Sequence, residues 1–460
     1  MASNTVLPDF VGPFPEKDCK ETPKTPEERL QVFVKYIAKN ADVRNRYPPH
    51  KLQKHISYIE DKIQAICAKV GECDSQFSSC KIVRQGSSYK GTKILKPDEL
   101  DYMPILTMFN KETVEVEDVK ENCNKKDEGY VYIKVINATV KDNLGNLCKH
   151  TPSGSFLKGG RIFLTKLQEA VKWALCQIDS LTYKGEHEHK DEDYSDPYPL
   201  GHISVCEETH GPSITLKIGA PLCNAKVDLC FSIEGRVTNL GQCVMVCGRL
   251  GHNSCHCGLP YNTHWKESPI NPPIKYELSE PHREVFLTLK LINHIVYEIC
   301  HHLEIRYRVS SSYWTLTLVW HHQQTCQATN VGECYRNIVQ MLNPDQPDKL
   351  DELYVKVYSQ QGDLLQEMFF PKVERMIPVL SFVGFMWFYQ QVRHTESTEW
   401  WETLFIEENT KYHDNEHLST LCEALNKVNQ MFSLLQPASH TVTWRDDRNN
   451  PKASLTISFK

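Results

Sequence analysis

Leu52, Ile56, Ile59, Ile63, Ile66 and Val70 recur at alternating steps of four and three, the spacing of a single helical face. The run follows Pro48-Pro49, residues that suit a helix start. It predicts one long amphipathic helix, a spine against which the neighbouring segments must fold. A shorter helix is expected before it, over Glu27 to Ala41, and residues up to about Pro26 are Pro- and Lys-rich and read as a flexible lead. After it come strands around Lys81, Leu100 and Tyr130, a helix from about Arg161 to Gln177, and strands again from His202 to Ile233. Glu186 to Asp196, acidic and histidine-containing, reads as a solvated insertion. Beyond about Pro281 the pattern is helical through Leu435, and two strand-like runs, His440 to Trp444 and Ala453 to Phe459, close the chain. The fold class expected is α+β: a lead over 1–26, a mixed-sheet lobe with the spine helix over 27–240, and a mainly helical lobe over 241–460.

Chemistry concentrates just past the spine. Glu99 and Asp101 flank Leu100, and in a strand residues at i and i+2 share a face, so both carboxylates project together while Leu100 enters the core. Paired hard oxygen donors suit Mg²⁺ or Mn²⁺. Upstream, Gly86-Ser87-Ser88-Tyr89-Lys90-Gly91 reads as a turn whose backbone N–H groups and serine hydroxyl would approach phosphates. Phosphoryl transfer on two metal ions calls for a third acid. Asp228 is the candidate, because Val227, Leu229 and Phe231 alternate inward around it. Ser213 to Ile218 supplies a partner strand, which would place Asp228 across the sheet from Glu99 and Asp101; the same spacing suits an edge-strand solubilising charge.

Composition fits a large folded chain: 460 residues, 40% hydrophobic and 24% charged, leave ample core for a bilobal unit. The 18 cysteines are scattered, and Met1 to Thr25 has neither a basic start nor an apolar run, so reduced thiols and a cytoplasmic location are expected. Met376 to Tyr389 is apolar but too short to span a bilayer, so it is expected as a buried helix, with no membrane anchor. A net charge of −6 argues against a generally basic nucleic-acid binder but leaves room for one local patch. Lys51, Lys54, His55, Lys62 and Lys69 supply it on paper, falling within an arc of about 100° along the spine helix. Such a rail suits a nucleic-acid backbone, and equally a solvated lysine face.

The run from Gly86-Ser87 through Glu99-Leu100-Asp101 resembles the activation motif of cyclic GMP-AMP synthase and its relatives, the male-abnormal nucleotidyltransferase family. Gly211-Pro212-Ser213-Ile214-Thr215-Leu216 leading to Val227-Asp228 is similar to the segment that carries that family's third metal ligand. The likeness extends, weakly and with gaps, over roughly Leu52 to Pro371. It implies a bilobal nucleotidyltransferase fold with a helical C-terminal lobe, and a cleft in which two Mg²⁺ ions and two NTPs, such as ATP and GTP, become a cyclic dinucleotide. It places Lys290 and Ser312 on phosphates, Tyr313 under a base and Glu284 on an acidic position, with Glu277 nearby. It also implies that the spine helix lines a surface for double-stranded RNA or DNA, as in innate immune sensing.

Departures qualify the likeness. Where the family reads guanine with an arginine and two serines, Glu277-Leu278-Ser279-Glu280-Pro281 stands here, so base selectivity is open. The family's zinc-binding insertion is absent between Glu284 and Lys290. A different cluster, His252, Cys255, His256 and Cys257 with Cys243, Cys247 and His264 nearby, lacks paired Cys-x-x-Cys spacing, which favours a loop of reduced cysteines over a structural zinc. Two other readings use the same residues: a catalytically silent scaffold that binds nucleotide or protein, and a linear oligonucleotide transferase.

Overall fold

The structure is a computed structural model that describes residues 23, 25–123, 125–187, 198–248, 257–305, 309–342, 365–375, 378–405, 415–434, 440–445 and 451–457. Along the chain come α1 (Pro26–Ala41), a single turn α2 (Val43–Arg46), the spine helix α3 (Pro49–Cys73), β1 (Ser79–Gln85), β2 (Glu99–Leu106), β3 (Val114–Asp118) and β4 (Tyr130–Val135). Next are α4 (Ala138–Leu144), β5 (Cys148–Thr151), β6 (Gly154–Leu157) and α5 (Arg161–Cys176). Strands β7 (Thr182–His187), β8 (His202–Cys206), β9 (Ile214–Gly219), β10 (Asn224–Leu229), β11 (Ile233–Thr238), β12 (Gly241–Cys247) and β13 (His264–Asn271) follow. Then come α6 (Glu280–His302), α7 (Ser312–Thr325), α8 (Val331–Leu342), the short pair β14 (Leu365–Gln366) and β15 (Glu374–Arg375), α9 (Val379–His394) and α10 (Glu416–Leu434). A hairpin of β16 (His440–Arg445) and β17 (Pro451–Ile457) ends the described chain, where two strands were expected.

The architecture is mixed α and β. One sheet runs β1-β2-β10-β9-β8-β7, with β2 parallel to β10 and β7 parallel to β8. A second runs β11-β12-β13-β4-β6-β5, with β3 on β4. The spine stripe does what its period requires: Ile59, Ile63, Ile66 and Val70 are buried with Leu100 and Tyr102 of β2 and with Leu167 and Val171 of α5. Burying each such side chain contributes roughly 2 kcal/mol.

Two boundaries fall elsewhere than the sequence suggests. The sheets do not stop near residue 240: β11 and β12 pair across it, and β13 carries the second sheet to Asn271. Helix α1, expected with the sheet lobe, instead sends Leu30, Phe33, Val34 and Ile37 into a core shared with α6, α8 and α9. The cause lies in α9, whose Leu380, Val383, Phe385, Met386, Trp387, Phe388 and Tyr389 are all buried. A helix apolar on every side needs cover on every side, and α1 supplies part of it. Its own start is secured by a capping box, in which the Glu28 N–H donates to the Thr25 hydroxyl and the Thr25 N–H to the Glu28 carboxylate. Among the described residues no helix is long and apolar enough to cross a membrane, and every cysteine is a free thiol.

His55 corrects the expected basic rail. It is fully buried, its Nδ1 accepts the Leu222 N–H at 3.1 Å, and its Nε2 lies 2.9 Å from the Pro97 carbonyl. An acceptor at Nδ1 and a carbonyl at Nε2 fix the neutral tautomer with its proton on Nε2. Burial pulls its pKa down to about 4. An unfolded histidine takes its proton near 6.5, so the stability that depends on neutral His55 is complete above that pH and is lost as pH falls from 6.5 toward 4. The whole loss amounts to about 3 kcal/mol. Urea unfolding at pH 7.5 and 4.5 should show it, and His55→Gln should flatten the slope across that window.

Candidate functional site

The alternation of β2 buries Leu100 and Tyr102 and leaves Glu99 and Asp101 together on the opposite face. Beside it β10 runs parallel, pairing Asp228 with Asp101 and Lys226 with Glu99. From the other side β9 sets Thr215 against Asp228, and the Thr215 hydroxyl donates to Asp228 Oδ1 at 2.6 Å. The three acids expected to converge therefore stand on adjacent strands, two of them in register. Farther along this face Met103, Ile105 and Cys230 pack with Val244, Val246 and Ile270 of the second sheet, which confines the polar part to the Glu99 end. A cavity of about 400 Å³ lies on the spine side of the sheet, lined by Glu60, Ile63, Arg84 and Tyr102 among others, and its lining contains none of the three acids.

The acids differ in charge state. Burial pushes Asp101 up to about 6, and the neighbouring Glu99 and Asp228 charges push the same way. Burial also raises Asp228, against the pull of Lys226 and the Thr215 bond. Glu99 moves down, because Lys93 stands 3.0 Å from its Oε2. The same ammonium pairs with Asp98 at 2.8 Å. Crowded oxygen donors, one of them with its ionisation suppressed by burial and then by like charge, fit a hard divalent cation such as Mg²⁺ or Mn²⁺, which would relieve that crowding.

Gly86 sits against this group. Its φ is +79°, and a Cβ there would fall 1.7 Å from Asp101 Oδ2, so glycine alone lets the turn pass this close. The turn is tied back on itself and on the sheet: the Thr92 N–H donates to the Ser87 carbonyl at 3.0 Å, and the Ser88 hydroxyl to the Glu99 carbonyl at 2.6 Å. Tyr89 reaches Glu60 of α3 at 2.8 Å and the Tyr102 hydroxyl at 2.7 Å.

Helices hold the rest of the β1–β2 connection. Arg283 Nε of α6 donates to the Gly91 carbonyl at 2.8 Å, and Lys290 Nζ to the Thr92 carbonyl at 3.0 Å. The Leu95 N–H donates to the Ala41 carbonyl at 2.8 Å, and Arg46 Nε to the Leu95 carbonyl at 3.1 Å. Arg283 also pairs with Asp42, a buried acid that Arg44 contacts at 2.8 Å. Arg283→Ala leaves Asp42 one partner and the loop one tether fewer, and should cost about 2 kcal/mol in urea unfolding, below a full buried-pair loss because Arg44 remains.

Other expected residues scatter. Lys290 is brought to the loop, half-buried, with burial and Lys93 pulling its pKa down to about 8. Ser312 opens α7 and is exposed. Tyr313 stacks on Phe369 at 6.3 Å and meets Trp314, within an aromatic group that continues through Tyr276 to Trp320. Glu284 does not join the acids: the charges around it are Lys35, Glu280 and Arg283. Glu277 lends its carbonyl to the Gln323 amide at 2.9 Å. On α3, Lys51 and Lys54 are exposed and Lys62 and Lys69 are half-buried, Lys62 bonding Ser180 at 2.9 Å and Lys69 pairing with Glu72 at 2.6 Å; with His55 in the core, the basic rail is shorter than its arc suggests. Of the expected cysteine cluster, His252, Cys255 and His256 lie outside the described residues. Cys243 and Cys247 enter the sheet core, and Cys257 and His264 meet Cys123 instead.

Lys93, Lys226, Thr215 and Arg283 were not singled out from sequence. Thr215 was within reach, since the β9–β10 register sets it against Asp228; Lys93 and Arg283 carry no periodic signal. No model of a known protein family matches the chain, and no curated protein matches it.

Proposed function

We propose that the chain is a metal-dependent nucleotidyltransferase of the cyclic GMP-AMP synthase-like kind, a bilobal enzyme that joins two NTPs into a cyclic dinucleotide. The observation that carries this reading is the placement of Asp228 in register with Asp101, on the strand beside Glu99, with the Gly86 turn packed against the Asp101 carboxylate. Glu99, Asp101 and Asp228 would hold the divalent ions, which supply charge neutralisation for the triphosphate and acidify the attacking hydroxyl. The chain's own groups do the positioning. Gly86 and Ser87 present backbone N–H groups and a hydroxyl to phosphate oxygens. Asp228, with Oδ1 occupied by Thr215, offers its other oxygen to the ribose hydroxyl proton. Lys290 would exchange the Thr92 carbonyl for a phosphate, and Ser312 and Tyr313 would close on the second nucleotide from α7.

Lys51 and Lys54 are the residues we assign to an activating double-stranded RNA or DNA, in a cytoplasmic sensing role. The silent-scaffold reading draws on one observation, the Lys93 ammonium that already spans Asp98 and Glu99 where a metal ion is expected.

A single incubation separates these. Purified protein is mixed with Mg²⁺ or Mn²⁺ and pairs of labelled NTPs, with and without duplex RNA or DNA, then treated with phosphatase. A phosphatase-resistant dinucleotide is expected; a ladder of products would make the chain a linear transferase, and no product under any condition would make it a scaffold. Charge reversal of Lys51 and Lys54 should remove the duplex response and leave folding intact.

A further inference from the structure

Far from the acids in sequence, four metal-binding side chains from three helices meet at one point. His282 comes from the first turn of α6, His322 from the last turn of α7, Cys326 from the residue that ends α7, and Cys334 from α8. One ligand atom of each lies within 4.8 Å of the other three. The Cys326 and Cys334 sulfurs are 3.6 Å apart, too far for a disulfide, whose bond is about 2.0 Å. With zinc–sulfur bonds of about 2.3 Å, the edge between two sulfurs of a tetrahedral site is about 3.8 Å, close to the separation seen.

The histidines point the same way. Their rings are 5.4 Å apart, and Nε2 of both His282 and His322 is buried without a hydrogen-bond partner. Two orphaned buried ring nitrogens in one place are a cost unless something ligates them. The other nitrogen of His282 is spoken for: Nδ1 lies 2.7 Å from the Ser279 hydroxyl, the outer contact that orients a ligating imidazole. The Ala328 N–H points at Cys326 Sγ from 3.4 Å, a contact that favours a thiolate there.

We propose that His282, His322, Cys326 and Cys334 form a structural zinc site that pins the start of α6 to the end of α7 and to α8. Two nitrogens and two sulfurs in a closed, mostly buried set match zinc, and four protein ligands leave no open position for catalysis. Binding releases the two thiol protons to solvent as the sulfurs become thiolates. The clamp acts on the segment from Glu277 to His282, which hydrogen bonds also hold to Gln323: the Ser279 N–H donates to Gln323 Oε1 at 2.8 Å. Because α6 also carries Arg283 and Lys290, the metal would steady the helix that holds the β1–β2 loop. The site uses none of the three acids and does not depend on the nucleotidyltransferase reading.

The test uses full-length protein purified under reducing conditions without chelator. Elemental analysis should find zinc, and the Cys326→Ala/Cys334→Ala variant should carry one equivalent less than the parent, whatever Cys123, Cys257 and His264 hold. Cobalt added to metal-free parent should give tetrahedral visible bands with sulfur charge transfer, absent from the variant. A parent that binds neither metal, or a variant with undiminished content, would overturn the site. If the variant does not fold, alkylation of the parent decides. Cys326 is only half-buried, so its protection from iodoacetamide reports metal rather than burial. It should react at least ten times faster after chelation; an unchanged rate, or a Cys326–Cys334 disulfide in the purified protein, would contradict the proposal.

Discussion

Asp101→Asn should lower nucleotidyl transfer by about 100-fold or more while leaving the protein as stable as before, or slightly more so. The two halves of this expectation have one cause. Asp101 is held against burial and the charges of Glu99 and Asp228, which Lys93 and Lys226 offset only in part, so its carboxylate is a burden on the fold that a bound cation would relieve. Asparagine keeps the shape and removes the charge. If the acids served only the fold, the substitution would lower stability and leave no activity to lose. Labelled-NTP turnover and urea unfolding at pH 7.5, measured on the same preparation, separate the cases. Asp228→Ala should lose activity to a similar degree, but with a stability cost of about 1 kcal/mol, because it strips the Thr215 hydroxyl of its acceptor.

Gly86→Ala is expected to damage the fold and the site together. The positive φ costs a non-glycine residue about 1–2 kcal/mol, and the new carbon would overlap the Asp101 carboxylate. Either the turn lifts away from β2 or Asp101 rotates out of its place. Both outcomes separate the phosphate-facing turn from the acids, so turnover should fall at least ten-fold and unfolding free energy by about 2 kcal/mol. Gly145→Ala is the control: it also has a positive φ, 49°, but nothing lies within 4 Å of the added carbon. It should show the stability loss without the loss of turnover.

The parts of the fold that sequence could predict are those fixed by local period. The spine helix, the inward Leu100 between outward acids and the β9–β10 pairing follow from alternation within a few residues, and the structure carries all three. What escaped depends on contacts between distant segments. The place of α1 is set by the all-round apolar surface of α9, some 350 positions later, and the extent of the second sheet by the pairing of β13 with β4. His55 illustrates the limit most simply. On a helical wheel it belongs with Lys51 and Lys54, yet the Leu222 N–H and the Pro97 carbonyl draw it inward, and neither is adjacent to it in sequence. The zinc set is similar: His282, His322, Cys326 and Cys334 have no paired spacing, and only the packing of α6, α7 and α8 brings them together.

Direct measurement of metal at the acids bears most closely on the nucleotidyltransferase reading. Manganese titration followed by electron paramagnetic resonance, with a non-hydrolysable NTP present, should show Mn²⁺ retained by the parent protein and released in Asp101→Asn and Asp228→Ala. Retention that is the same in all three proteins, or no Mn²⁺ held by the parent, would mean that these carboxylates do not form a metal site.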